Sequence, residues 1–209
     1  YIPIARIQHD TGSLQVAENS PFKTIEDFIA YAKENPGEIT VGGTGAAGFD
    51  EVVIAKFEKA AGIDVNYVPF ESGGDMRSAT LGGHIDAHFE EFGPTKSLID
   101  AGSIRVLLAF TDQKIESYPD VPISVDKGFD VTDGIWRGIF VKSGTPKEIV
   151  DYLREIFKQA KDAESYKEIE KTNLLDLRPG YMDSEEFKTF LEEDINAYKE
   201  ILKELGYTE

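Results

Sequence analysis

Cysteine is absent from the 209-residue chain. That excludes disulfides, thiol nucleophiles and cysteine-ligated metals, while leaving the compartment open. Long apolar runs are missing too: nowhere do about 18 consecutive apolar residues occur, as a membrane-crossing helix requires. Basic residues are scarce, with 22 Lys and Arg against 39 Asp and Glu and a net charge of −17. The acidity is spread along the chain and reads as a means of solubility. It argues against nucleic acid and anionic membrane surfaces as partners. No Gly-x-Ser-x-Gly supplies a nucleophile elbow and no Gly-Lys-Ser/Thr supplies a P-loop. The chain opens at Tyr1-Ile2-Pro3-Ile4 with neither an initiator methionine nor a signal peptide, a start that suggests processing or truncation.

Glycine, by contrast, is concentrated. Val41-Gly-Gly-Thr-Gly-Ala-Ala-Gly-Phe-Asp-Glu51 reads as the end of a strand begun at Ile39, a glycine-rich turn, and the start of a helix running to Gly62. A turn of this kind brings bare backbone N–H groups and a helix N-terminus to one point, which suits a carboxylate or phosphate. Three readings fit it: an organic-anion site, a tight structural turn, or a dinucleotide site. In the last, Gly43-x-Gly45-x-x-Gly48 is the fingerprint and Glu71 the ribose-binding acid. Asp50 and Glu51 suit the helix dipole but repel an incoming pyrophosphate.

Apolar periodicity predicts β segments at 2–7, 14–16, 39–41, 65–70, 85–89, 106–110 and 138–141. Helices are predicted after Thr24, after Gly48, from Gly74 through Leu81 and over 94–101. The βαβ order argues for parallel strands in an α/β domain. The turn-rich stretch 111–135 is expected to cross between lobes. Thr145-Pro146-Lys-Glu148 predicts a capping box with proline at the first helical position, and Asp183-Ser-Glu-Glu186 opens a last helix with an apolar core-facing stripe. Leu175 to Leu177 reads as a further strand.

Chemistry has few other places to reside. His84, Asp86, His88 and Glu90 alternate, so on one strand they share a face, which allows a metal or proton-transfer site, a ligand-contacting face or a plain polar face. No second cluster supplies further metal ligands. The sole tryptophan, Trp136, precedes Arg137; the pair offers an apolar wall and a bidentate carboxylate grip, or Arg137 simply pairs with a surface acid.

Several pieces recur in a fixed order: Lys23-Thr-Ile-Glu-Asp-Phe-Ile-Ala-Tyr-Ala-Lys33 with Asn35-Pro36-Gly37, Val41 to Gly48, Ala60-Ala-Gly-Ile63, Val68-Pro69-Phe70 with Ser72-Gly-Gly74, and Leu81-Gly-Gly-His-Ile-Asp86. Tyr118-Pro-Asp-Val-Pro122, Trp136-Arg-Gly138 and Gly144-Thr-Pro-Lys-Glu148 complete the series. Their order and spacing resemble the substrate-binding receptors of tripartite tricarboxylate transporters, the Bug family. The resemblance implies an α/β, periplasmic-binding-protein-like fold of the type II, Venus-flytrap kind. Two lobes close around a small organic acid, a di- or tricarboxylate or an amino acid, and present it to membrane permease subunits. It implies neither catalysis nor a cofactor nor a metal, and an extracytoplasmic place. It would put Gly42, Gly43, Thr44, Gly45, Ala46 and Ala47 in the ligand cleft, bordered by Phe70, Ser72, Gly73, Gly74 and Glu90, with Trp136 and Arg137 near the crossing between lobes. The competing function is a nicotinamide-dinucleotide oxidoreductase fragment built on the same turn.

The chain also departs from that pattern. Phe49, Asp50 and Glu51 stand where relatives carry hydroxyl residues and a histidine, and Glu90 where an aspartate is usual. The added acidity disfavours a tricarboxylate and suits an amino acid or another ligand with a cationic group. Family members begin with a signal sequence, a first strand and a glycine-rich loop that have no counterpart before Tyr1. The expected division is therefore a second lobe over 8–135, with 1–7 and 136–209 forming the remainder of a first lobe incomplete at its N-terminus. An incomplete cleft predicts weak ligand binding or a homodimer.

Overall fold

The computed structural model describes residues 1–208. Five strands form one mixed sheet: β2 (Gly12–Ala17), β3 (Thr40–Thr44), β4 (Asn66–Phe70), β5 (Ala87–Glu91) and β6 (Ile104–Ala109), in the order β4-β3-β5-β2-β6. The βαβ expectation holds for β3, which runs parallel to both β4 and β5. It fails for β2, which enters from the start of the chain and lies antiparallel between β5 and β6.

Helices cover this sheet. α1 (Ile25–Glu34) starts at Thr24, whose hydroxyl accepts from the Asp27 amide while the Asp27 carboxylate accepts from the Thr24 amide. α2 (Phe49–Ala61) buries Val52, Val53, Phe57 and Ala61 at helical spacing and stops at Gly62, whose φ of +63° is left-handed. Val53, Phe57 and Ala61 join Leu14, Val16, Phe28, Phe89 and Phe110 in the main core. Each large side chain so buried is worth about 1.5–3 kcal/mol. α3 (Gly73–Leu81) buries Met76 and Thr80, and α4 (Phe92–Asp100) buries Phe92 beside Val106, Ala109 and Ile123.

A second, two-stranded antiparallel sheet joins β1 (Ile2–His9) to β7 (Trp136–Val141). α5 (Lys147–Ala160), α6 (Glu164–Thr172) and α7 (Ser184–Glu204) accompany it. The α7 capping box forms as its spacing predicts, with Asp183 accepting from the Glu185 and Glu186 amides. The box predicted at Thr145 does not form. Pro146 is itself the cap residue, and the Thr145 hydroxyl turns back to donate to the Lys142 carbonyl. Leu175–Leu177 is a 3₁₀ turn rather than a strand, entered through Leu174 at a φ of +56°.

The chain passes between the two sheets at 10–11 and again at 132–135, and these crossings touch. The Asp10 amide donates to the Ile135 carbonyl at 2.8 Å, and a Cβ on Gly134 would stand 1.7 Å from the Asp10 carbonyl oxygen. Buried Arg178 ties them down, reaching the Thr132 carbonyl at 2.8 Å and His9 Nε2 at 3.1 Å. Burial, then the neighbouring Arg178 charge, push His9 down to about 3, so it stays neutral and accepts from Arg178. Among the described residues no helix is long and apolar enough to cross a membrane.

Candidate functional site

The carboxyl ends of β4, β3 and β5 lie side by side, and each feeds the N-terminus of a helix: α3, α2 and α4 respectively. Sheets of this kind hold ligands outside the carboxyl ends of their strands. Gly43 is needed for close packing, because a Cβ there would meet the Tyr67 hydroxyl at 2.4 Å and Asp50 Cβ at 2.8 Å. Gly45 is needed for its φ of +72°, and Ala47 shares the left-handed region at +53°.

The turn's amides are only partly bare. Asp50 Oδ2 accepts from the Thr44 amide at 2.6 Å and from the Thr44 hydroxyl at 2.7 Å. Glu51 Oε2 accepts from the Ala47 amide at 2.6 Å, and the Tyr207 hydroxyl donates to the same carboxylate at 3.1 and 3.2 Å. The Gly45 amide donates to the Phe70 carbonyl. Gly45 and Ala46 remain exposed. The chain's own carboxylates thus occupy three of the turn's donors. Burial raises the Asp50 pKa and the Thr44 hydrogen bonds partly offset that rise.

The second glycine turn borders Glu90. A Cβ on Gly73 would lie 2.8 Å from Glu90 Oε1, and Arg77 Nη1 donates to that oxygen at 2.5 Å. Ser72 is engaged as the α3 cap, accepting from the Asp75 amide and donating to the Asp75 carboxylate. Behind Glu90, fully buried His88 contacts the Thr80 hydroxyl through Nδ1 at 2.9 Å. Thr80 donates to the Met76 carbonyl, so its oxygen accepts from Nδ1–H and leaves Nε2 as a bare acceptor, a tautomer assigned from the hydrogen bonds. Burial and then Arg77 lower His88 to about 3.

The shared face expected of His84, Asp86, His88 and Glu90 is not formed. β5 begins only at Ala87, and the Asp86 carboxylate is spent on the Thr40 amide and hydroxyl at 2.8 and 2.6 Å. His88 and Glu90 alone stay together, Nε2 to Oε2 at 3.9 Å. Trp136 and Arg137 likewise part, since neighbours on a strand face opposite ways. Trp136 Nε1 donates to Asp194 of α7 at 3.1 Å and lines an apolar groove of about 500 Å³ with Phe49 and Tyr198. Arg137 lies 3.5 Å from Asp10 and lines a separate groove of about 380 Å³ with Gln8, Gly93 and Pro94.

Three residues stand out that sequence reasoning did not single out. Arg77 carries the ion pair to Glu90. Asp10, held at the crossing, is buried, and burial raises its pKa against the pull of Thr11 and Arg137. Glu91, at the β5–α4 junction, is 8% exposed and has no partner for Oε1. Burial, then the charges of Asp10 and Asp50, push it up to about 8. Glu91 was discoverable as the second of two adjacent acids; nothing in the sequence linked Arg77 to Glu90 or Asp10 to this end of the sheet.

Solved structures of the same fold are two-lobed, type II-like periplasmic binding proteins. Residues 2–207 match the profile of the tripartite tricarboxylate transporter family receptor, and the chain belongs to that family. A Cupriavidus necator protein, described as a UPF0065 protein in the gbd 5′ region, is 29% identical over 195 residues, covering 92% of this chain and 58% of its own length. A ligand-free TctC solute-binding protein from Polaromonas superposes with a TM-score of 0.81 at 28% identity, over 97% of this chain and 69% of that one. The R. palustris protein Rpa4515, solved with adipate, gives a TM-score of 0.82 at 22% identity over 98% and 68%. The chain thus spans about three-fifths of the length of the Cupriavidus relative.

Proposed function

We propose that this protein is an extracytoplasmic solute-binding receptor that captures a small organic carboxylate, a di- or tricarboxylate or an amino acid, for the permease subunits of a tripartite tricarboxylate-type transporter. Membership of the receptor family along nearly the whole chain carries the reading. The convergence of the α2, α3 and α4 N-termini at one sheet edge supports it, as does a neighbour of the same fold solved with adipate. The residues proposed to meet the ligand are the exposed part of the glycine turn, Thr44, Gly45 and Ala46, together with Glu90 and the adjoining Phe70–Gly74 turn. Trp136 and Arg137 are proposed to flank it from the two sides of β7. The oxidoreductase reading finds no support: a pyrophosphate on the Gly43–Gly48 turn would have to displace Asp50 and Glu51 from Thr44 and Ala47.

A thermal-shift screen of mono-, di- and tricarboxylates and amino acids tests the reading. A saturable rise in Tm for at least one compound, with compaction in small-angle scattering, is the expected result. A chain that ignores every member of the screen yet binds NADH would reverse the assignment.

A further inference from the structure

The donor and acceptor count at the sheet edge favours one kind of ligand group. The Thr44 amide and hydroxyl serve Asp50, the Ala47 amide serves Glu51, and the Arg77 guanidinium serves Glu90. Among the buried side-chain atoms left without a partner there, two are carboxylate oxygens. Glu90 Oε2 and Glu91 Oε1 are both buried and unbonded, in residues each 8% exposed. Glu91 caps α4 without making a side-chain cap bond, so its carboxylate is not spent on its own helix. It faces Asp10 and Asp50 closely enough for both to disfavour its charge. The Thr11 hydroxyl, next to Asp10, is also buried without a partner.

Resting on the receptor reading above, we propose that the ligand group lodged against Glu91 is a cationic nitrogen, an ammonium or guanidinium, so that the solute is an amine-bearing carboxylate rather than a plain di- or tricarboxylate. A second carboxylate against Glu91 would find the Thr44, Ala47 and Arg77 donors taken and would add a further negative charge beside Asp10 and Asp50. A cationic nitrogen supplies donors to Glu91 and offsets the negative charge of Asp10 and Asp50. A metal ion does not fit the same place, because among the described residues no three His, Asp or Glu side chains gather closely enough to chelate one. Acids spread along an edge suit an organic cation, whose charge and donors extend over several atoms. Asp50 then acts as a specificity residue, filling a turn that would otherwise accept a carboxylate.

Calorimetric titration of the full chain with matched pairs tests this: succinate against aspartate, glutarate against glutamate, adipate against 2-aminoadipate, and hexanoate against 6-aminohexanoate. In at least one pair the ammonium-bearing member is expected to bind about 10-fold tighter or more. Glu91→Gln, which preserves volume, should shrink that gap to about 3-fold or less; Asp50→Asn provides the same readout if Glu91→Gln fails to fold. Plain carboxylates binding as tightly or tighter in every pair would overturn the proposal while leaving the receptor reading intact. So would their affinity falling as pH rises through about 8, which would show protonated Glu91 donating to a carboxylate. A gap that survives both substitutions would also overturn it. Binding of no member in any pair would bring down the receptor reading and this inference together.

Discussion

Where two backbone segments press together, a single methyl group decides between tolerance and loss. Gly134 and Gly128 make the comparison. A Cβ on Gly134 meets the Asp10 carbonyl oxygen at 1.7 Å and its carbon at 2.7 Å, both backbone atoms that cannot rotate away. A Cβ on Gly128 meets nothing within 4 Å, and only its φ of +85° resists substitution. Gly134→Ala should therefore cost about 3 kcal/mol or more by overpacking, and Gly128→Ala about 1–2 kcal/mol by left-handed strain. Equal shifts in urea midpoint would remove the crossing contact from the account. Glu91 acts through charge instead of volume. Its folded pKa of about 8 lies above the ordinary 4.5, so the folded state holds the proton more tightly and the group's stabilisation is complete below 4.5. That contribution is lost as pH climbs towards about 8. Glu91→Gln should consequently gain on the wild type between about pH 5 and about pH 9 in urea unfolding. A slope survives in the variant, because burial lifts Glu58 to about 7 in both proteins. A wild type and variant with parallel pH profiles would show that Glu91 ionises freely.

Helix ends show which parts of a sequence can be read without a structure. Asp183 and Glu186 complete a local exchange of hydrogen bonds four residues long, and Asp183→Ala should cost about 1 kcal/mol. Thr145 sits in an equally good cap pattern yet bonds Lys142, so Thr145→Ala should leave the α5 helix signal in circular dichroism unchanged. An α5 that melts early in Thr145→Ala would restore the capping role. The legible elements, α1, α2 and α7, are those specified by spacing and by contacts within one turn. The strands were legible as strands, but not their order, since β2 is recruited across the sheet by pairing with β5 and β6. The site was legible in the same proportion. The glycine turn announces itself, and Asp50 and Glu51 were visible as acids in the first turn of α2. That Asp50 folds back six residues to Thr44 follows only from the φ values of Gly45 and Ala47. Alternation parts Trp136 from Arg137 because β7 starts at Trp136, two residues before the predicted 138–141 segment.

At the level of the whole molecule, α7 and Arg178 join what the two sheets would otherwise leave to a pair of thin crossings. α7 is anchored at the β1–β7 sheet by Phe187, which packs edge-on against Trp136. Further along, Tyr198 stacks on Phe49, Glu204 pairs with Lys59 at 2.8 Å, and Tyr207 reaches Glu51 beside the glycine turn. The exposed Lys59–Glu204 pair contributes little. The buried contacts decide the coupling, and among them Arg178 links the end of β1 to the second crossing. Trp136, the only tryptophan, is bonded to Asp194 of α7 and so reports this region alone, whereas far-ultraviolet dichroism reports both sheets and all helices. Urea transitions followed by the two signals should coincide in the wild type, as cooperative unfolding requires. Arg178→Leu leaves the Thr132 carbonyl and His9 Nε2 without their donor, at about 1–3 kcal/mol for each group that water does not reach. Because that loss falls on the junction rather than on either core, the tryptophan transition should move to lower urea than the dichroism transition. A uniform shift of both signals would mean that α7 alone binds the halves into one cooperative unit, and that Arg178 stabilises it only in proportion to its buried hydrogen bonds.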